Sequence, residues 1–129
     1  MTKKVKTVGL EDTVKDAVEK MNKFNIGSVV VMDTDRKRPL GIITERDILR
    51  LVERYPDPLI LNVKQVMSHP LVTVDADTSI EEAARIMAMK QIKRLATVEN
   101  GKLTGIVSSS DIMRASPRLV NTLTNLLKR

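Results

Sequence analysis

Gly41-Ile42-Ile43-Thr44-Glu45-Arg46-Asp47-Ile48 returns 64 residues later as Gly105-Ile106-Val107-Ser108-Ser109-Ser110-Asp111-Ile112. Arg50 and Arg114 stand in the same place after each. Upstream, Val14, Ala17 and Met21 return as Ile80, Ala83 and Met87 at an offset of 66 residues, so one connection is two residues longer in the first copy. An offset that persists through helix, strand and turn marks a duplicated supersecondary unit. Two copies predict a pseudo-twofold body in which any site in one copy is echoed in the other.

Each copy opens on a segment suited to a strand, Val5-Lys6-Thr7-Val8 or Leu71-Val72-Thr73-Val74. A helix start follows. Thr13 with Asp16 and Ser79 with Glu82 are N-cap pairs, and Ser79–Glu82 reads as a full capping box. Val14, Ala17, Val18 and Met21, like Ile80, Ala83, Ala84 and Met87, recur at helical spacing, which makes the methionines core filler. Apolar runs Ser28–Met32 and Leu95–Val98 then lead through turns to second runs, Leu40–Ile43 and Leu103–Val107. Last come helices starting at Thr44 and Ser108, which carry Ile48, Leu49, Leu51 and Val52 or Ile112 and Met113. The expected class is α/β (α+β): two β-α-β-β-α repeats, over 1–58 and 59–116, packed together because neither covers its sheet alone. Tyr55-Pro56-Asp57-Pro58 breaks the chain between copies, and Leu61–Met67 suits a short helix. Over 117–129, Leu119, Val120, Leu123, Leu126 and Leu127 share one helical face that either closes the core or forms an oligomer surface.

Composition narrows the function. With no Cys and one His, disulfide frameworks, thiolate metal sites and imidazole clusters are excluded. No apolar run has the length of a membrane span and the first residues lead into no signal-peptide core, so a cytoplasmic location is expected. The net charge of +6 is spread over small clusters at Lys3, Lys4 and Lys6, at Arg36-Lys37-Arg38, and at Lys93-Arg94. A basic balance favours anionic partners. His69 sits in a linker turn, and no nucleophile–base arrangement or phosphate-binding Gly-rich loop accompanies it.

The repeated units, Asn25-Ile26-Gly27-Ser28-Val29-Val30-Val31, the two Gly-apolar-apolar-Thr/Ser-x-x-Asp motifs and the lead-in Val66-Met67-Ser68-His69-Pro70 together resemble the cystathionine-β-synthase (CBS) domain family in its tandem form. The likeness spans roughly residues 5 to 115. It implies a regulatory module, without catalysis, that binds AMP, ADP, ATP or a ligand of the S-adenosylmethionine type in clefts between the repeats. It also implies a homodimer formed through helices and an effector protein. No tightly held cofactor is expected.

The residues suit such a ligand. Asp47 and Asp111, on the first turn of a helix, can accept hydrogen bonds from both hydroxyls of a ribose. Thr44 and Ser108 stand where strand gives way to helix, so their hydroxyls and the main-chain N–H groups can meet a phosphate. Lys93 and Arg94 add charge-assisted contacts, and since the first copy has Gly27 and Ser28 there, a phosphorylated ligand is expected to prefer the second site. Gly41 and Gly105 allow close backbone approach. Ile26, Ile92, Val72 and Val8 are candidates to sandwich the base, or plain core. The same Thr/Ser-x-x-Asp pattern is also what a helix N-terminus alone favours: a hydroxyl cap and an acid on the dipole. Two other classes compete: a basic nucleic-acid binder, disfavoured because Phe24 and Tyr55 are the only aromatics, and a ligand-free interaction module.

Overall fold

Val29, Val30, Val31 and Met32 are all buried, so Ser28–Met32 forms a strand covered on both faces at the centre of its sheet. The computed structural model describes residues 5–33, 35 and 38–127; Lys3, Lys4, Arg36, Lys37 and Lys128 lie outside them, as does the side chain of Leu127. The first compact unit, Val5–Leu71, contains β1 (Thr7–Gly9), α1 (Val14–Phe24), β2 (Ser28–Met32), β3 (Pro39–Thr44), α2 (Glu45–Arg54) and α3 (Val63–Val66). The second, from Val72 onward, contains β4 (Thr73–Asp75), α4 (Ile80–Lys90), β5 (Arg94–Glu99), β6 (Lys102–Ser108), α5 (Ser109–Ala115) and α6 (Val120–Leu127). In each unit the first strand lies parallel to the second and the second pairs antiparallel with the third. The β-α-β-β-α order of the two copies is therefore present twice, with register Ser28↔Thr44 matched by Arg94↔Ser108.

The strand starts differ from the sequence expectation. β1 and β4 begin at Thr7 and Thr73, two residues late, because the parallel partner strand sets their register at Thr7↔Val30 and Thr73↔Ala96. The helix caps also redistribute. Thr13–Asp16 forms a reciprocal capping box, whereas Ser79 accepts from the Glu82 N–H at 3.1 Å without reciprocation. The Glu82 carboxylate turns instead to the Arg85 guanidinium, 2.9 Å from Nε. Both first helices end in a left-handed residue, Asn25 at φ 52° and Gln91 at φ 55°. The shorter second hairpin turns on Asn100 and Gly101, both at positive φ, the geometry that matches strand twist.

Two separate cores result. Val8, Ala17, Met21, Val29, Val31, Ile43 and Val63 form the first; Ala83, Ala84, Met87, Leu95, Ile112, Leu119, Leu123 and Leu126 form the second. The linker belongs to the first unit. The Val14 N–H donates to the Leu61 carbonyl (2.8 Å), the Val63 N–H to the Asp12 carbonyl (2.9 Å), and Val63 is fully buried. The C-terminal segment forms a 3-10 turn (Pro117–Leu119) and α6, whose leucines close the second core. On α2, by contrast, Leu51 turns inward while Leu49 and Val52 stay 69% and 61% exposed. Among the described residues no helix is long and apolar enough to cross a membrane.

Candidate ligand site

Both motifs are strand-to-helix junctions. In the first unit Thr44 stays extended and caps α2. Its N–H and hydroxyl donate to Asp47 Oδ2 at 2.9 and 3.2 Å, and its Oγ1 accepts from the Asp47 N–H at 3.3 Å. The Glu45 N–H donates to the Gly27 carbonyl at 3.1 Å. The second unit repeats this. The Ser108 N–H donates to Asp111 Oδ2 (2.9 Å), Ser108 Oγ accepts from the Asp111 N–H (3.1 Å), and the Ser109 N–H donates to the Lys93 carbonyl (2.9 Å). Three of the main-chain N–H groups at each helix start are thus already engaged, and the capping role of both motifs is real.

The two aspartates differ in what else they meet. Asp47 is 8% exposed, and the Ser68 hydroxyl donates to its Oδ1 and Oδ2 at 3.2 and 3.4 Å. The linker is held there by reciprocal main-chain bonds between Ile42 and Ser68, of 2.9 and 3.0 Å. A Cβ on Gly41 would stand 2.7 Å from Met67 Sδ and 2.9 Å from the Ser68 carbonyl oxygen. The close approach permitted by Gly41 is therefore made by the chain's own linker.

Asp111 lines a cavity of about 260 Å³. Its Oδ1 accepts from Arg114 at 2.5 Å. Burial raises its pKa, but the Ser108 main-chain and hydroxyl hydrogen bonds and the Arg114 charge outweigh this and hold the carboxyl below its usual range. The walls are Val74, Ala76, Ile80, Ala83, Val107, Ile112 and Ala115, with the hydroxyl residues Thr78, Ser79 and Thr97. An ionised acceptor thus sits beside a largely apolar wall with a few hydroxyls.

The other expected residues distribute as follows. Lys93 is exposed and Arg94 half-buried; they run alongside Ser108 but are not part of the cavity wall. Ile92 and Val72 pack half-buried on the second core. Val8 is fully buried in the first core, paired with Val31, so the plain-core alternative describes it. Ile26 lines a different recess, a groove of about 370 Å³ between α1 and α2 that reaches Glu45. Sequence reasoning missed Thr78, Ser79 and Thr97. Thr97 carried a signal, since it is a polar residue where the first copy has Val31, and its hydroxyl lies 3.0 Å from that of Thr104. Among the described residues no cluster of His, Cys, Asp and Glu could hold a metal ion. Phe24, one of two aromatics, has the Lys6 ammonium 4.1 Å from its ring centre.

Comparison with known proteins gives a consistent result. A family model described as CBS domain matches residues 1–54 and 63–118. An uncharacterized protein of Methanopyrus kandleri is 38% identical over 92% of this chain, which spans 61% of that protein's length. A conserved CBS domain protein of Thermoplasma acidophilum, of unknown function, superposes with a TM-score of 0.84 at 27% identity, covering 99% of this chain and 73% of that one. A CBS domain protein from Pyrobaculum aerophilum, complexed with AMP, gives a TM-score of 0.80 at 26% identity, covering 93% of this chain and 92% of that one.

Proposed function

The chain belongs to the CBS domain family, and from that premise we propose that it is a regulatory module binding an adenine nucleotide at the Ser108–Asp111 junction of its second repeat. The observation that carries this reading is the unequal state of the two aspartates. Asp47 is closed in by Ser68, while Asp111 presents an ionised carboxylate to a cavity. A carboxylate offers about four lone-pair positions, and Ser108 and Arg114 occupy two, which leaves acceptors for ribose hydroxyls. Val74, Ile80 and Val107 supply an apolar wall for a base. Lys93 and Arg94, beside Ser108, supply cations for a phosphate, and the net charge of +6 favours arrival of an anion. The AMP complex of the Pyrobaculum relative supports the ligand class. The module binds rather than turns over its ligand, and an effector protein reads the liganded state.

Thermal unfolding with AMP, ADP, ATP and S-adenosylmethionine tests this. A ligand at 100 times its dissociation constant adds about 2.7 kcal/mol to stability. At least one adenine nucleotide is expected to raise the unfolding midpoint, and Asp111→Ala to weaken its binding by about tenfold or more, the loss expected for a hydrogen bond to a charged group. No stabilisation by any of these compounds at millimolar concentration would overturn the proposal.

A further inference from the structure

The cavity beside Asp111 has an exposed rim and a buried inner end. At the rim Ser79 is exposed and Thr78 half-buried, and the Ser79 hydroxyl already accepts from the Glu82 N–H. At the inner end lie Ala83, Ile112 and Thr97, and Thr97, 4% exposed, is the one buried hydroxyl in the lining among the described residues. Its Oγ1 stands 3.0 Å from Thr104 Oγ1. This pair has no counterpart in the first copy, where Val31 and Leu40 hold the two positions. Replacing both partners of a buried hydrogen bond by apolar groups is close to neutral or stabilising, so the repeat folds without the pair. The hydroxyls stand only in the copy whose aspartate faces a cavity.

We propose that Thr97, backed by Thr104, selects the ligand by accepting a hydrogen bond from the 6-amino group of its purine base; this rests on the nucleotide reading of the same cavity. The 6-amino group lies on the side of the purine remote from the ribose. With the ribose held at Asp111 and the base against Val74, Ile80 and Val107, that edge enters the buried end. An amino group taken there from water costs free energy unless it finds an acceptor. A hydroxyl has one proton and two lone pairs. When Thr97 donates its proton to Thr104, its lone pairs remain for the base. The bond to Thr104 and the stiff β-branched side chain also fix the hydroxyl before a ligand arrives. A base with hydrogen at position 6 forfeits this contact, yet Thr97 keeps its bond to Thr104. The discrimination is therefore the net worth of one neutral hydrogen bond, about fivefold in affinity.

Titration calorimetry tests this with AMP and ATP, each beside the counterpart that carries hydrogen in place of the 6-amino group. The parent chain is expected to prefer the 6-amino member of any pair it binds by about fivefold. Thr97→Val should bring that preference to within about twofold of parity by weakening the 6-amino nucleotide alone. Val31, at the same position of the first copy, shows that the repeat accommodates this side chain. Thr97→Ser, which keeps the hydroxyl, should retain most of the preference. Equal weakening of both members of a pair by Thr97→Val, or a preference that survives it, overturns the selection and leaves nucleotide binding standing. So does a parent chain that binds both members equally. If neither AMP nor ATP binds the parent at millimolar concentration, the nucleotide reading itself fails, and the selection with it.

Discussion

At the scale of single residues, the chemistry turns on which donors surround a carboxylate. Asp47 and Asp111 hold the same position in the repeated motif and each completes a reciprocal capping box. Yet Ser68 closes over one, while the other faces a cavity and an exposed guanidinium. The lowered pKa of Asp111 carries a stability consequence with a definite sign. A carboxyl whose folded-state pKa lies below its unfolded value contributes stability that is complete above the unfolded pKa, near 4. That contribution is lost as pH falls through the folded value. Asp111→Asn should therefore flatten the decline of stability below about pH 4, measured as urea midpoints from pH 2 to 7. Glu81 and Glu82, lowered by a main-chain hydrogen bond and Arg118, and by Arg85, slope the same way in both proteins, so the difference isolates Asp111. Parallel curves for the two proteins would show that its hydrogen bonds do not favour the charged form.

At the scale of elements, β3 and the linker are fitted to one another through Gly41. A methyl there would meet the Met67 sulfur at 2.7 Å, which can swing aside, and the Ser68 carbonyl at 2.9 Å, which is fixed by its bond from the Ile42 N–H. Gly41→Ala is expected to destabilise by about 1–3 kcal/mol, the usual cost of overpacking. The added variant Met67→Ala should recover little of it, since the backbone contact remains; full recovery would locate the conflict at the sulfur. The sequence made much of this level legible. The repeated apolar spacing and hydroxyl caps are local signals, and helices, hairpins and both junctions stand where they point. What local signals do not carry is partnership. Ser79 and Glu82 have the spacing of a reciprocal box, yet Arg85, one turn on, takes the carboxylate. Leu49 and Val52 count as apolar periodicity but face outward, because the buried side of α2 is the one holding Asp47 and Leu51. Gly41 reads as room for a ligand, whereas its occupant comes from residues 67 and 68, a contact no pattern within the motif announces.

At the scale of the whole molecule, duplication gives two units with separate cores, and α6 makes them unequal. Leu123 and Leu126 are completely buried and Leu119 is 8% exposed, so α6 and the 3-10 turn before it supply three of the eight side chains in the second core. Burying each contributes about 1.5–3 kcal/mol, a large share of the 5–15 kcal/mol by which a domain is typically stable. Leu123→Ala should therefore cost about 2–5 kcal/mol, with its first effect in the second unit. Native-state hydrogen exchange reads this directly. The amides of β5, β6 and α4 should lose protection in the variant, while those of β2 and β3, whose core contains nothing from α6, keep theirs. Equal loss in both sheets would mean that the units unfold as one cooperative body.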